Sequence, residues 1–539
     1  MNASNIKVVI PALKKTVAFQ DDLVKKLSGI TLIQRAINKA FKLGVENKYI
    51  YLITDSDEIR VLGERNKINT YWDSDLTWEE KNNTVQIWTY LQNIADEVEC
   101  MLFLSPYAPL LSVKTINSAL NDLIKSNKFI LKPVIEVKRH LYDGNKQSNF
   151  ETLFGDKKET HKIESKSFSL VKKGYFLNEF QDQTSIFEWP IDSDIFEIKS
   201  YQDWWVCEKL IDRKRIIFRV IGNKIVGMGH IYRALSLAHE ITNHEILFVC
   251  DKKSDIAVNK LSECNYWFEV YDSSIIVENI ANLNPDLVIT DILSSKEEDI
   301  LPLKKLGIKT LNFEDLGEGG RISDLTINEL YDIPLYNSKN TLWGHKFFFV
   351  RDEFNDASPH IFKSNIKKIM LSFGGTDQHN LSYKVYKVLD RICAKRKIDI
   401  HIVTGSGYKE HQILENEIKG TSRIYLTQAT GVISNIMEDC QLAIVSNGRT
   451  VYELAHMNIP SIVISQHERE EKHSFACEQN GFLNIGLFNE DSYKELIEKN
   501  FLRLINDEDF RHQLFLKTMK YSFDSNKQKV LDSIDQLLN

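Results

Sequence analysis

The chain has 539 residues, more than one hydrophobic core of ordinary size can organise, so roughly three or four compact units are expected. Its net charge of −7, with basic residues scattered, leaves no basic stripe for nucleic acid and no basic amphipathic helix for a membrane. The seven cysteines stand singly with no CxxC pair, MNASNIKVVIPAL lacks the charged and apolar regions of a signal peptide, and no apolar run reaches the length of a membrane span, so a soluble, reduced, cytoplasmic protein without a zinc site is expected.

From the N-terminus, IKVVIPA, YIYLITD, INTYW, CMLFLS and FILKPVIEV read as short buried strands. Between them ITLIQRAINKAFKLG, NTVQIWTYLQNIADEV and VKTINSALNDLIKS carry apolar residues at helical spacing, which predicts βα alternation and a mostly parallel sheet. Residues of roughly 140 to 165 are polar and Lys-rich and suit an exposed excursion. SFSLVKKGYFL and IFEIKSYQDWWVCEKLI close the unit, with one of Trp204 and Trp205 expected inside and the other partly exposed. The charged run Ile211 to Ile216 marks a boundary, giving a first domain over 1–213.

RIIFRVI, HEILFVC, WFEVYD, DLVITDI and KTLNFED then alternate with helices over a second domain, 214–358. The extended stretch from Arg351 to Ile366, with Pro359, reads as an interlobe linker. KKIMLSFG, IDIHIVTG, RIYLTQ, QLAIVSN and PSIVISQ are the predicted strands of a third domain, 359–539. The predicted fold class is therefore α/β throughout: an N-terminal Rossmann-like domain, then two βα lobes with a cleft at the carboxyl ends of their strands.

Three strand, glycine turn and helix segments fall at such ends. In FRVIGNKIVGMGHIYRALSLAHEI, Gly227 and Gly229 let a ligand approach the backbone, the helix start favours an anion, and His230 sits where that anion arrives. KKIMLSFGGTDQHNLSYKVYKVL repeats the design at Gly374 and Gly375, and CQLAIVSNGRTVYELAHMNIPSIVISQ repeats it at Gly448, with Glu453 one helical turn inside. A lone GxG recurs by chance, but three in one chain half suit a diphosphate over helix N-termini and a carboxylate for ribose hydroxyls. Asp291 and Asp315 end strands facing the cleft, as sugar contacts or as helix caps. His467 and His473 flank EREEKH, a solvated helix face or a lid over the sugar, with the solvated face preferred.

Residues 215 to about 490 resemble the pseudaminic-pathway UDP-diacetamido-trideoxy-altrose hydrolases and their spore-coat relatives in the GT-B glycosyltransferase superfamily. The resemblance rests on GMGHIYR, TLNFEDL, FGGTD followed by Asn380, and GRTVYE. It implies a GT-B module in which His230 is the catalytic base, and UDP contacts from Gly374, Gly375, Thr376 and Gly448. Gly227, Gly229, Arg233, Asn380, Thr450 and Glu453 join them as binding residues, Arg449 as a cation beside the diphosphate, and Asp315 because FED resembles the family's FDD. The implied reaction is water attack on the anomeric carbon of a UDP-linked amino-deoxy sugar in nonulosonic-acid surface-glycan assembly, with no metal or other cofactor. His230, at a positive helix end, is expected to be neutral. A glycosyltransferase and a non-catalytic sugar-nucleotide-binding scaffold are the competing readings. Ile221 stands where the family's first strand continues into a polar residue, GRT replaces GST, and QHEREEKHSF replaces an Asn-Gln pair, so the sugar is expected to differ.

Residues 5 to 213 resemble the CMP-sialic acid synthetases in IPA, LSGITLI, TDSDEI and LSPYAPLL. Here Leu13 replaces the nucleotide-binding arginine, Lys14 and Lys15 replace glycines, and Asp22 and Leu23 end the loop. Ser105 and Leu111 replace Gln and Arg, and Lys199 precedes the retained Asp203. Lysine cannot ligate magnesium, so this domain is expected to keep the fold without turnover. Magnesium is required only under the bifunctional alternative, an active CMP-sugar synthetase, and self-association through this domain is left open.

Overall fold

Short β-branched runs alternating with amphipathic helices build three principal sheets in a computed structural model that describes residues 6–14, 19–76, 81–95, 99–138, 160–177, 185–191 and 195–539. The chain divides into two units, residues 1–213 and 214–539. Most of the expected polar excursion, residues 139–159, lies outside the described residues. Among the described residues no helix is long and apolar enough to cross a membrane.

The N-terminal unit contains β1 (Ile6–Pro11), the small hairpin β2 (Lys26–Leu27) and β3 (Ile30–Thr31), β4 (Ile50–Thr54), β5 (Asn69–Trp72), β6 (Cys100–Leu104), β7 (Ile130–Lys138), β8 (Thr160–Glu164), β9 (Phe168–Lys172) and β10 (Ile186–Pro190). Its main sheet runs β10-β7-β9-β6-β1-β4-β5, with β8 on β7. The half from β6 to β5 is parallel, but β9 runs antiparallel to both β6 and β7, and β8 antiparallel to β7. The sheet is therefore mostly parallel, as expected, with β8 and β9 reversed. The helix Leu32–Lys42 starts where the Thr31 side chain accepts from the Gln34 amide, and it buries Ile33, Ala36, Ile37 and Ala40 against the sheet. Trp204 is buried, whereas Trp205 is 61 % exposed.

The second unit holds two all-parallel sheets. The first lobe has β11 (Arg215–Val220), β12 (Glu245–Asp251), β13 (Phe268–Tyr271), β14 (Leu287–Asp291), β15 (Lys309–Phe313), β16 (Leu325–Asn328) and β17 (Thr341–Trp343), in the order β13-β12-β11-β14-β15-β16-β17. The second has β18 (Lys368–Ser372), β19 (Asp399–Thr404), β20 (Ile424–Gln428), β21 (Leu442–Ser446), β22 (Ser461–Ser465) and β23 (Phe482–Leu487), in the order β20-β19-β18-β21-β22-β23. Helices cover such sheets on both faces, so central strands such as β14 and β21 are buried at every residue. In each lobe the order reverses beside the first strand, the doubly wound pattern whose crevice lies between β11 and β14 and between β18 and β21. The unit is a two-lobed, double Rossmann-like module.

The segment expected to link the lobes is anchored at the buried Phe354 and is otherwise half-buried or exposed. Phe348, Tyr452 and Phe475 stack with successive centroids 4.4 Å apart, and Phe354 and Phe523 are buried in the same cluster, so an aromatic core joins the lobes beneath the cleft. The boundary that assigned all of 359–539 to the second lobe is corrected at its end. The helix Asn526–Leu538 returns to the first lobe, where Val530 and Ile534 enter the core beside Phe218 and Phe313. The Asn526 amide Nδ2 donates to the carbonyls of His345 (3.1 Å) and Phe348 (2.8 Å), which fixes where the crossing begins. Ile534→Ala is expected to destabilise this unit by about 2–4 kcal/mol, because a buried side chain is truncated. Urea unfolding of the full chain measures it, and a loss under about 0.5 kcal/mol, the level of an ordinary surface substitution, would mean that the helix contributes nothing to the first lobe.

Candidate functional site

The two crevices face each other across a cavity of about 1140 Å³. Its wall includes Gly227, Met228 and Gly229 after β11, Gly374, Gly375 and Thr376 after β18, Gly448, Arg449 and Thr450 after β21, and Glu453. The glycine requirement is steric at one edge. A Cβ on Gly375 would lie 2.9 Å from the Gly227 Cα, and one on Gly405 would lie 2.3 Å from the Gly375 carbonyl oxygen, so the loops of the two lobes meet backbone to backbone. Gly448 has open space where a Cβ would stand and borders the cavity, which leaves its backbone open to a ligand.

His230 opens the helix Gly229–Glu240, and its Nδ1 lies 2.6 Å from Oδ1 of Asp291, the last residue of β14. Neighbouring strands across the switch point thus supply the imidazole and its carboxylate. Arg233, one helical turn on, grips Asp291 through Nε to Oδ2 (2.7 Å) and Nη2 to Oδ1 (2.6 Å). Burial alone would raise the Asp291 carboxyl, but Arg233 and His230 hold it down at about 2, so it is ionised. An ionised partner requires Nδ1 to carry a proton, so in the neutral tautomer Nε2 is the acceptor. The His230 side chain is 12 % exposed and lies behind the cavity wall that Gly229 completes.

Several residues chosen from sequence take other roles. Arg233 is buried under the site and serves Asp291 and Glu329. Arg449 borders the cavity but turns its guanidinium into the lobe junction, where Nη1 donates to Glu329 Oε1, Nη2 donates to the Phe349 carbonyl (3.1 Å), and the group lies 4.5 Å above the Phe348 ring. It is corrected from a free cation beside the diphosphate to a lobe-bridging cation, and burial with repulsion from Arg233 lowers it to about 10. Asp315 is buried and accepts from Asn312 Nδ2 (2.6 Å), the Gly317 amide (2.8 Å) and the Ser295 amide and hydroxyl, so it fixes a loop and lies outside the cavity wall, a correction to its sugar-contact assignment. Asn380 holds a left-handed turn (φ 56°), accepts from the Tyr408 hydroxyl at 2.6 Å, and is also absent from the wall. Asp377 occupies the Leu381 and Ser382 amides at 2.7 Å, so part of that helix start is already capped. Glu453 borders the cavity, with Arg351 Nε on its Oε1 at 3.1 Å.

The EREEKH segment keeps a solvated face, with Glu468, Glu471 and Lys472 exposed, and also forms part of the wall. Gln466, His467, Glu468, Arg469 and Glu470 border the cavity, and Arg469 crosses to the first lobe to donate to the carbonyls of Leu293 (3.1 Å) and Glu314 and to the Ser294 hydroxyl (3.3 Å). Gln466 donates Nε2 to the Phe373 carbonyl (2.7 Å), which turns its buried Oε1 away as an acceptor without a hydrogen bond. His473 is a core residue, pushed down to about 4 by burial and 2.5 Å from the Asn447 carbonyl. Glu329, Gln466, Arg469 and Glu470 were not singled out from sequence. An acid inside the apolar run TINELYDIPL was the available signal for Glu329.

The N-terminal unit shows a different economy of charge. Leu13, Leu23 and Leu111 are core residues. Lys14 Nζ meets Asp21 (3.1 Å) and Glu58 (3.0 Å), and Asp22 accepts from the Tyr107 hydroxyl (3.1 Å). Lys15 lies outside the described residues. Asp203 Oδ2 accepts from the Lys199 amide (3.0 Å) and the Ser200 hydroxyl (2.9 Å) at a helix start, while Lys199 Nζ meets Glu197 at 3.3 Å. These residues do not fit a magnesium site, because the carboxylate is spent on donors and an ammonium stands where an oxygen ligand is required.

No known family profile matches the chain. It is 29% identical over 271 residues to an uncharacterized protein of Methanocaldococcus jannaschii, covering 47% of this chain and 55% of that one. It is 25% identical over 277 residues to the spore coat polysaccharide biosynthesis protein SpsG of Bacillus subtilis, covering 48% and 80%. It is 24% identical over 219 residues to the pseudaminic acid cytidylyltransferase and UDP-2,4-diacetamido-2,4,6-trideoxy-beta-L-altropyranose hydrolase of Helicobacter pylori, covering 39% of each. The chain thus spans about half the length of the first of these relatives. Among solved structures it is similar to Acinetobacter baumannii MurG (TM-score 0.44, 12% identity, 60% of this chain and 99% of that one) and to S. aureus MnaA with UDP (0.44, 15%, 60% and 97%). The chain is related in sequence to proteins named for spore-coat polysaccharide and pseudaminic acid assembly.

Glu470 gives the wall a testable pH response. Burial pushes its carboxyl from an ordinary 4.5 up to about 7, so the native protein holds a proton there that the unfolded chain has lost, and stability falls as pH rises from 4.5 to 7. Glu470→Gln is therefore expected to raise the melting temperature by a few degrees at pH 8 and to leave it unchanged at pH 4. Equal shifts at both pH values, read by calorimetry, would refute the buried acid.

Proposed function

We propose that the second unit hydrolyses a UDP-linked amino-deoxy sugar, releasing UDP and the free sugar, in the assembly of a nonulosonic-acid surface glycan. The observation that carries this reading is the His230–Asp291 pair, set at one switch point opposite the glycine turns of the other lobe. Its relatedness to a spore-coat protein and to a protein named as a UDP-sugar hydrolase supports the substrate class.

In this mechanism the turns at Gly374–Thr376 and Gly448–Thr450 receive the diphosphate through backbone amides and the Thr376 and Thr450 hydroxyls. Glu453, steadied by Arg351, takes the ribose hydroxyls. Water approaches the anomeric carbon from the His230 side. As the oxygen–carbon bond forms and the bond to UDP breaks, the water proton passes to His230 Nε2, and Asp291 stabilises the resulting imidazolium. No cation besides the turn donors is assigned to the diphosphate, since Arg449 is committed to Glu329. The N-terminal unit takes no part in this reaction and is assigned a structural role.

A panel of UDP-sugars incubated with the full chain, with free UDP and free sugar both measured, tests the reading directly. Equal release of both without any acceptor is the expected outcome, and release only when a sugar acceptor is added would make the protein a transferase instead. His230→Ala should bind UDP within about threefold of wild type and lose at least about a hundredfold in turnover. Asp291→Asn should lose about ten- to a hundredfold in kcat with a smaller change in KM, since orientation of the base is used in the transition state. Wild-type turnover in the His230 variant would end the base assignment.

The full chain given CTP, magnesium and several nonulosonic acids is expected to release no pyrophosphate. Lys14 is neutralised by Asp21 and Glu58, and the metal position is filled by Lys199. Sustained pyrophosphate release would make the chain bifunctional.

A further inference from the structure

We propose that Glu329 and Arg449 form a cross-lobe clamp that positions His230 through Arg233 and Asp291, so that lobe placement and the orientation of the base are set together. The chain of contacts runs without a break. Arg449 of the second lobe donates to Glu329 Oε1, Arg233 Nη1 donates to the same oxygen at 2.8 Å, Arg233 grips both oxygens of Asp291, and Asp291 Oδ1 meets His230 Nδ1 at 2.6 Å. Glu329 is fully buried and its Oε2 makes no hydrogen bond, so the carboxylate is held by the two guanidinium groups. Arg233 is 2 % exposed, lies 4.9 Å above the Phe313 ring and has no room to take another partner by moving outward.

The sharing of one oxygen makes the clamp a coupling device. Two cations that converge on a single carboxylate oxygen repel each other as soon as its charge is removed, and in a dry interior that repulsion is strong. Arg449 also donates to the Phe349 carbonyl and touches the space beside Gly229, where a Cβ would sit 3.7 Å from its Cδ. Displacing Arg449 therefore disturbs the turn that carries His230 as well as the guanidinium that fixes Asp291. Glu329 and Arg449 are positioning residues in this scheme, since neither is placed against the reacting atoms.

The kinetic arm of the test rests on the hydrolase reading, and the spectroscopic arm does not. In protein labelled with 15N-histidine, the His230 Nδ1–H resonance is identified by its loss in His230→Gln. Glu329→Gln, which keeps size and removes charge, and Arg449→Met are each expected to displace that resonance. Each should also lower kcat for a UDP-sugar about tenfold or more while KM changes less than threefold. The double variant should be no slower than the slower single, because both changes break the same clamp. If no UDP-sugar is hydrolysed, the reaction proposed above fails while the resonance still decides the clamp. A folded Glu329→Gln protein with an unmoved His230 resonance overturns the proposal, as do kinetic losses that multiply in the double variant. Should Glu329→Gln not fold, the resonance in Arg449→Met decides alone.

Discussion

Reversal of strand order beside the first strand of each parallel sheet is the constraint from which the second unit's chemistry follows. Loops leaving β11 and β14 turn to opposite sides of the first sheet, and those leaving β18 and β21 do the same in the second, so each lobe carries a crevice that no helix fills. The turns at Gly227, Gly375 and Gly448, whose backbones are open or closely approached, sit at these points. The pairing of His230 with Asp291 is a consequence of the same reversal, because the residues belong to adjacent strands whose connections diverge. A neighbouring pair within a continuous stretch of the sheet would be roofed by its own crossover helices.

The cleft depends equally on what fixes the lobes to each other. An aromatic stack through Phe348, Tyr452 and Phe475 supplies non-directional burial, and the returning helix Asn526–Leu538 ties the end of the chain to the first lobe. Neither element sets an angle with much precision. The buried charges do, since Arg449 on Glu329 and Arg469 on the Leu293 and Glu314 carbonyls are directional and lie on both sides of the His230 turn. Burial of Glu314 raises its carboxyl, with Arg233, Arg469 and Arg449 opposing the rise, so these arginines also set the charge balance across the junction.

Much of this was legible in the sequence because it depends on local pattern. Apolar runs of four to six residues between helical periods marked β11 to β15 and β18 to β22 but not the edge strands β16, β17 and β23, and glycine before a helix marked all three turns. What escaped was set by tertiary partners. Nothing in SFSLVKKG states that β9 enters the sheet between β6 and β7 in the opposite direction. Arg449 reads as a phosphate cation until Glu329, 120 residues earlier, is seen to occupy it. Asp315 looks like a sugar contact beside a strand end, yet Asn312 and Gly317 next to it and Ser295, 20 residues earlier, consume its oxygens. EREEKH reads as solvated because charge dominates it, and only the crossing of Arg469 to the first lobe turns part of that charge inward.

The N-terminal unit extends the same reasoning to a loop whose charges are paired internally. A loop built to hold a polyphosphate must leave cations and amides unsatisfied in the absence of ligand, and unsatisfied buried groups cost stability. Here those positions are satisfied from within: Leu13, Leu23 and Leu111 join the core, Lys14 is ringed by Asp21 and Glu58, its amide donates to Asp55 at 2.7 Å, and Asp22 accepts from Tyr107. Such a loop is steadier without nucleotide than a working one, and the competition a triphosphate would face is with the protein's own carboxylates. These residues therefore stabilise the unit through burial and internal ion pairs, independently of any ligand.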